Sequence, residues 1–123
     1  VLRTGHVGIS GVAYEPPVPV EAEAERELNG LLTAGLSNTE RAIDAFLWGA
    51  RRQLFWDGNK RTSLLLANKL LLVGGNGLLT IREKNMERFN ELLTVYYDTG
   101  DRAAIKAFLY ENAIQGIDFP PMK

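Results

Sequence analysis

The sequence predicts an all-α domain, a helical bundle preceded by a short N-terminal β-hairpin. Apolar residues recur at helical spacing in several segments, and stretches rich in glycine or proline separate those segments. The length of 123 residues is that of one domain. We therefore expect a single domain over 1–123, with a hairpin and a proline-rich lead-out in 1–19 and a helical core in 20–123.

Composition excludes several classes of protein. The chain has no cysteine and one histidine, which rules out a disulfide framework, a thiolate nucleophile and a site built from several histidines. A formal net charge of −1 provides no general attraction to DNA or to an anionic membrane. The longest apolar stretch, 64–73, is much shorter than the roughly 20 residues of a membrane-spanning helix. We expect a cytoplasmic protein without DNA or membrane partners; the oligomeric state stays open.

The hairpin is predicted from glycines that alternate with apolar residues near the N-terminus. The residues of this pattern are Gly5, Val7, Gly8, Ile9, Gly11 and Val12. Three prolines between 16 and 19 then prevent a strand from continuing, because proline donates no backbone hydrogen bond.

Five helices follow in the prediction. Their expected positions are 20–32, 37–52, 60–73, 86–96 and 104–112, with a short extended segment over 78–81. The third helix is apolar on nearly all sides, so we expect it to be buried at the centre of the bundle.

The start of the second helix has a capping-box pattern. Ser37 is followed three residues later by Glu40, which is the spacing at which the two side chains satisfy backbone amides at a helix N-terminus. Apolar residues at 43, 46, 47 and 50 then define one buried face of this helix.

The most informative segment is 53–61, with the sequence QLFWDGNKR, between the second and third helices. A turn at a helix start presents free backbone N–H groups and the positive end of the helix dipole, which together bind anions. Gly58 permits a close backbone approach, and Lys60 and Arg61 add positive charge. Asp57 offers a hard oxygen ligand that suits Mg²⁺ on phosphate oxygens. These features predict a site for a magnesium-bound nucleotide; the alternative is a simple loop with solvated cations.

The same segment resembles the signature of the Fic family, H-x-F-x-D/E-G-N-G/K-R. The matching residues are Phe55, Asp57, Gly58, Asn59, Lys60 and Arg61. The flanking helices and the hairpin also look like the core and the target-docking flap of that family, so the resemblance covers most of the chain. It implies a Fic fold and the transfer of AMP from ATP to a Ser, Thr or Tyr hydroxyl of a target protein.

The resemblance also implies roles for single residues. Phe55 would anchor the loop from inside, and Asp57 would hold the Mg²⁺ on the α- and β-phosphates. Gly58, Asn59 and Lys60 would line the phosphate site, and Arg61 would hold the distal phosphates.

The hairpin would act as the docking flap of the family. Its residues Val7, Gly8 and Ile9 would lie along the backbone of the incoming target, which would join it by strand addition. Val7 and Ile9 would clamp a target side chain.

Two positions depart from the signature. Gln53 stands where the family has its catalytic histidine, and a carboxamide has no basic site near neutral pH. General-base catalysis contributes about 10²- to 10⁴-fold, so we expect impaired transfer unless another base acts. Leu64 stands where many AMP-transferring members have a further arginine. Leu64 and Lys60 resemble the phosphate-transferring Doc branch, whereas Gly58 does not.

Three functions therefore remain as alternatives to AMP transfer. One is a Doc-like phosphotransferase, and another is a nucleotide-binding interaction module without turnover. A DNA-binding helical domain is disfavoured, because the helix after Lys60 and Arg61 is apolar where a recognition helix exposes polar residues. As a substitute base, His6 is disfavoured against a solvated role, and Trp56 is expected to pack rather than to cover a nucleotide.

Overall fold

The computed structural model describes residues 2–115, and it confirms the helical fold. Its elements are α1 (Glu21–Leu32), α2 (Asn38–Arg52), α3 (Asn59–Val73), β1 (Leu78–Leu79), a 3₁₀ turn (Glu83–Asn85), α4 (Met86–Thr99), α5 (Ala103–Asn112) and β2 (Ile114–Gln115). All five predicted helices are present. The last part of the predicted helical core, 116–123, lies outside the described residues. No helix within residues 2–115 combines the length and apolarity needed to cross a membrane.

Helix α2 is the most deeply buried helix. Ser37 caps its start, since the hydroxyl oxygen accepts a hydrogen bond from the Glu40 N–H at 3.2 Å, which is one of the two bonds that the capping box predicts. Ile43 and Leu47 are fully buried, and the Phe46 ring stacks on Phe89 of α4 with the ring centres 6.3 Å apart. The predicted apolar face of α2 is therefore the face that forms the core.

Helix α3 packs antiparallel against α2 through a narrow stripe. Its buried residues recur every four positions and are Asn59, Ser63, Ala67 and Leu71. The contact is close, because a Cβ at Gly49 of α2 would lie 2.3 Å from the Ser63 hydroxyl oxygen. Gly49 and Ser63 thus set the spacing of the two helices that carry the site.

The expectation that α3 is buried on nearly all sides is wrong. Leu65, Leu72 and Val73 are 68%, 52% and 83% exposed. Only the side of α3 that faces α2 is fully covered, so apolar composition alone overstates the burial of this helix.

Helices α4 and α5 close the core on the other side of α2. Leu93, Tyr96 and Tyr97 of α4 are buried, as are Ile105 and Leu109 of α5. A buried carboxylate on α2 ties it to α5, because Asp44 forms ion pairs with Lys106 at 3.1 Å and Arg102 at 3.4 Å.

A two-stranded antiparallel sheet joins the segment after α5 to the segment after α3. Leu78 pairs with Gln115 and Leu79 with Ile114. The Asn68 side chain fixes this sheet to α3, accepting from the Leu79 N–H at 2.6 Å and donating to the Leu79 carbonyl at 3.3 Å. The extended segment predicted over 78–81 is thus confirmed in its first half.

The N-terminal segment is not a regular hairpin. The chain turns where the Val12 N–H donates to the Ile9 carbonyl at 3.1 Å, but residues 2–20 contain no strand. We call residues 5–14 the flap. The flap is held by contacts with the helical core instead of a strand ladder, since Asp98 Oδ1 on α4 accepts from the Ala13 N–H at 2.9 Å and the Tyr14 N–H at 3.1 Å.

Candidate functional site

Residues 53–61, which we call the signature loop, reverse the chain between α2 and α3. Gln53 ends α2 in the left-handed conformation, with φ 50° and ψ 55°. Gly58 precedes α3 in the same region, with φ 70° and ψ 20°. Only glycine adopts this conformation without steric cost. Gly58 therefore makes the turn possible, whereas Gln53 is kept in its left-handed conformation by contacts with neighbouring residues.

The Asn59 side chain holds the signature loop from within. Its Oδ1 accepts from the Phe55 N–H at 2.9 Å, and its Nδ2 donates to the Phe55 carbonyl at 2.8 Å. The same Nδ2 donates to Gln53 Oε1 at 3.1 Å. Asn59 is buried, and these bonds direct its carboxamide into the loop. The Asn59 side chain therefore acts mainly by holding the loop that forms the candidate phosphate site, and not as a donor that faces the cleft.

The N-terminus of α3 presents donors and positive charge at the loop. The first intrahelical bond runs from the Thr62 N–H to the Gly58 carbonyl at 2.9 Å, so the N–H groups of residues 59–61 precede it. A Cβ at Gly58 would lie 3.0 Å from Arg61 Nη2, which places that guanidinium directly over the turn. Asp57 lies at the same turn and accepts from the Gly58 N–H through Oδ1 at 2.8 Å.

These residues line a cleft of about 480 Å³, which we call the loop cleft. Its lining residues are Gly8 of the flap, Gln53, Trp56, Asp57, Gly58, Asn59, Lys60 and Arg61. The structure thus brings together all five residues expected to bind nucleotide and the residue at the position of the missing histidine. A volume of this size is typical of small-molecule sites.

A second cleft, of about 430 Å³, lies between the flap and α4, and we call it the flap cleft. It is lined by Gly8, Ile9, Ser10 and Val12 of the flap, by Asn90, Leu93, Thr94 and Tyr97 of α4, and by Gln53 and Lys60. Gly8, Gln53 and Lys60 also line the loop cleft, so they form the wall common to both clefts. Of the three predicted docking residues, Gly8 and Ile9 line a cleft and Val7 lines neither.

The two clefts contain few groups that are able to accept a proton. The Gln53 carboxamide donates through Nε2 to the Ala50 carbonyl at 2.5 Å and accepts from Asn59. Burial, with the neighbouring Tyr96 as a smaller cause, raises the pKa of Tyr97 to about 12, so its hydroxyl is neutral at neutral pH. Asp57 is the one carboxylate among the lining residues of these two clefts.

His6 lies on the exposed side of the flap. Its side chain is 75% exposed, and Nδ1 lies 3.1 Å from the Glu15 carboxylate. It lines neither cleft. The position of His6 agrees with a solvated histidine and gives no support to its use as a substitute base.

Trp56 forms the outer edge of the loop cleft. Its ring contacts the flap backbone, because a Cβ at Gly5 would lie 2.7 Å from the end of the indole. The residue is nevertheless 59% exposed. The expected packing role is therefore limited to the end of the indole that meets Gly5, and most of this side chain is exposed where it lines the loop cleft.

The donor set at the loop suits a metal that arrives with phosphate. Within residues 2–115 no three His, Cys, Asp or Glu side chains are grouped to hold an ion. Mg²⁺ is commonly bound by one or two carboxylates together with substrate phosphates, and Asp57 supplies one carboxylate. The residues present thus fit a nucleotide-borne Mg²⁺ better than a cage made by protein alone.

One residue that connects the flap to the site is missed by sequence reasoning. Arg3 is 1% exposed, and its backbone N–H donates to the Leu54 carbonyl at 2.9 Å. Its guanidinium contacts the carbonyls of Gly5 in the flap, of Pro17 after the flap and of Arg52 in α2. Burial lowers the pKa of Arg3 from its ordinary value, although a guanidinium keeps its charge at neutral pH. A single arginine before a glycine-rich stretch carries no pattern that marks it as buried.

Comparison with known proteins shows the fold alone. No family model and no curated protein matches the sequence. Among solved structures, the chain is similar to the BepC protein, a VirB-translocated Bartonella effector protein from Bartonella tribocorum, in a crystal structure with bound AMPPNP. The TM-score is 0.67 with 17% sequence identity, and the match covers 94% of this chain and 59% of BepC. This chain thus spans less than two thirds of that protein and shares its helical fold.

Proposed function

We propose that the protein binds ATP with Mg²⁺ in the loop cleft and transfers AMP to a hydroxyl group of a target protein, at a rate limited by Gln53. The observation that carries this proposal is the loop cleft itself. One wall combines the free amides at the start of α3 with Lys60, Arg61 and the Asp57 carboxylate. That combination is suited to a polyphosphate with a divalent cation.

The phosphates would lie across the turn at Gly58. The amides of residues 59–61 would donate to phosphate oxygens, and the Arg61 guanidinium over the turn would hold the distal phosphates in a bidentate contact. Asp57 would hold the Mg²⁺, which when bound neutralises charge on the phosphate oxygens. The neighbour BepC, whose crystal structure contains AMPPNP, supports a nucleotide as ligand of this fold.

The target would approach from the flap side. Val7, Gly8 and Ile9 would dock its backbone, and its hydroxyl would enter the flap cleft toward the wall shared with the loop cleft. The hydroxyl oxygen would then form a bond to the α-phosphorus, and the bond from that phosphorus to the bridging oxygen would break and release pyrophosphate. The hydroxyl proton would be lost to solvent, because Gln53 does not accept it.

The identity of residue 53 provides the test of this proposal. Gln53→His supplies a base at the wall between the clefts, and Gln53→Asn is the matched control, because asparagine also tolerates the left-handed backbone but is no base. Each variant is incubated with ATP labelled at the α- or the γ-phosphate, and label on the chain's own hydroxyl groups is measured.

We expect Gln53→His to increase labelling from α-labelled ATP by about 10²-fold or more, with no gain in Gln53→Asn. Label from γ-labelled ATP instead would indicate the Doc-like phosphotransferase. Nucleotide binding without labelling in either variant would contradict transfer as the function.

A nucleotide-binding interaction module without turnover is the second candidate. The Gln53 carboxamide favours it, since both ends of that group are already hydrogen-bonded to the protein, to Ala50 and Asn59. In such a module the side chain of residue 53 would serve to hold the loop. Retained ATP binding with no transfer in the Gln53→His variant is the result that this candidate predicts.

A further inference from the structure

Arg3 links three separate segments of the chain through one buried guanidinium. Its Nη1 donates to the Gly5 carbonyl at 2.8 Å, at the start of the flap. Its Nη2 donates to the Pro17 carbonyl at 2.8 Å, after the end of the flap. Its Nε donates to the Gln53 carbonyl at the end of α2.

Two longer contacts add to this arrangement. Nη2 lies 3.4 Å from the Pro16 carbonyl and 3.3 Å from the Arg52 carbonyl. Each of the three guanidinium nitrogens therefore has at least one carbonyl acceptor, and the residue is 1% exposed. Only a planar fork with donors on three nitrogens reaches such acceptors together, whereas a lysine ammonium is a single point.

The carbonyl groups that Arg3 binds include that of Gln53, which lines both clefts, so Arg3 influences the position of their walls. Gly8 of the flap and Gln53 both belong to the wall that is common to the two clefts. Arg3 bonds at once to Gly5 at the start of the flap, to Pro17 after its end and to the backbone of residue 53, so the distance between the flap and residue 53 depends on it. The left-handed backbone of Gln53 is also supported by the bond that its carbonyl accepts from Arg3.

We propose that Arg3 is a positioning residue that fixes the flap against residue 53 and so sets the width of both clefts. This inference rests on the proposed function for its consequence in ligand binding. Its structural part is independent of that function, because the flap position is measurable without a ligand.

Trp56 provides the readout. The chain has two tryptophans, Trp48 and Trp56, so Trp48→Phe leaves Trp56 as the single indole. The Trp56 ring contacts Gly5 at the start of the flap, and its fluorescence therefore reports where the flap lies. The quenching of this fluorescence by acrylamide measures how far the ring is exposed.

Arg3→Lys is the test variant and Arg41→Lys the matched control. Arg41 also donates from Nη1 to two loop carbonyls, of Ala34 at 3.1 Å and Leu36 at 2.6 Å, but in the α1–α2 connection. In the Trp48→Phe background we expect Arg3→Lys to increase the quenching constant of Trp56 by about twofold, with Arg41→Lys unchanged and the helical circular dichroism retained by both. Equal quenching in all three proteins would overturn the proposal.

A measurement on the wild type keeps the proposal testable should Arg3→Lys fail to fold. The Nε–H proton of Arg3 is buried between carbonyls, so its exchange with solvent is expected to be as slow as that of core helix amides. Exchange as fast as that of an exposed arginine would contradict the proposed clamp.

The consequence for binding is measured with Mg-ATP. We expect Arg3→Lys to increase the Kd for Mg-ATP by about tenfold, because a displaced flap misplaces one wall of the loop cleft. An unchanged Kd would restrict Arg3 to holding the flap and overturn its role in cleft width. If the wild type fails to bind Mg-ATP, the proposed function fails, while the quenching result still decides the position of the flap.

Discussion

The side-chain amides of Asn59 and Gln53 are hydrogen-bonded to each other, with Asn59 Nδ2 3.1 Å from Gln53 Oε1. Asn59, the first residue of α3, is thereby connected to the end of α2, and it also bonds the N–H and carbonyl of Phe55 within the loop. Asn59 is the least exposed residue of the matched signature, and its side chain holds the loop from within. The shape of the candidate phosphate site depends on this one carboxamide.

Replacement of Asn59 is expected to damage the loop and the site together. Asn59→Ala removes its bonds to Phe55 and Gln53, and we expect it to lower the free energy of unfolding by about 2 kcal/mol and to abolish measurable Mg-ATP binding. Asn68→Ala is the control, because Asn68 holds the Leu79 backbone in a similar way far along α3. Urea denaturation and calorimetry compare the two. Equal loss of nucleotide affinity in both variants would show that general destabilisation is the cause.

Gly58 is expected to tolerate no side chain. Gly58→Ala places a residue with Cβ at φ 70° and brings that atom to 3.0 Å from Arg61 Nη2. The backbone strain costs about 1 kcal/mol, and the displaced guanidinium is expected to weaken Mg-ATP binding by about tenfold or more. Gly75→Ala has the same backbone strain, with φ 69°, but no neighbour within 4 Å, so it is expected to lose stability and keep its affinity. Calorimetric titration of both variants checks this, and unchanged affinity in Gly58→Ala would place Arg61 outside the phosphate site.

The contact between α2 and α3 is expected to be too close for a methyl group at position 49, so that Gly49→Ala lowers stability. Gly49→Ala would bring a Cβ to 2.3 Å from Ser63 Oγ, so we expect a loss of about 2 kcal/mol in stability. Gly30→Ala in α1, with no neighbour within 4 Å, is expected to gain about 0.5 to 1 kcal/mol from its helix propensity. Urea denaturation measures both, and Ser63→Ala added to Gly49→Ala should recover part of the loss. No recovery would show that another contact sets the spacing.

Stability is expected to fall at alkaline pH. Burial raises the pKa of Tyr96 and of Tyr97 to about 12 from the ordinary value near 10, and the Tyr96 hydroxyl donates to the Leu47 carbonyl at 3.0 Å. The folded state thus binds these protons more tightly than the unfolded state, so their stabilisation is complete below about pH 10 and is lost as the pH rises toward 12. By about pH 11 we expect a loss of about 1 kcal/mol for each tyrosine.

Urea denaturation at about pH 9 and about pH 11 measures this loss. Tyr97→Phe is expected to reduce the difference between the two pH values by about half, because it leaves one buried tyrosine to ionise. Tyr110→Phe is the control, since Tyr110 is 55% exposed. The same fall in Tyr97→Phe as in the wild type would show that other groups cause it.

The sequence predicted the helices because their signals are local. The Ser37 cap, the apolar face of α2 and the turn at Gly58 depend on residues a few positions apart, and each is present in the structure. The cluster of loop residues 57–61 was predictable for the same reason. Burial of α3 was not, because composition does not tell how many neighbours cover a helix.

The remaining features depend on contacts between residues distant in sequence. The alternating pattern of the flap predicted strands that the structure does not form. The conformation of the flap is set instead by contacts with distant residues, because Arg3 and Asp98 hold it against the helical core. The flap cleft is formed with α4, which is far from the flap in sequence, since the bonded residues Ala13 and Asp98 are 85 positions apart. No spacing rule connects such residues.

The central claim is that the loop cleft holds the phosphates of a magnesium nucleotide against Arg61. Calorimetric titration of the protein with ATP in the presence of Mg²⁺, beside the Arg61→Ala variant, tests it most directly. We predict saturable binding to the wild type and a loss of about a hundredfold in affinity in Arg61→Ala, because a charge-assisted bidentate contact is removed. Binding that is absent in the wild type, or equal in both proteins, would contradict the claim.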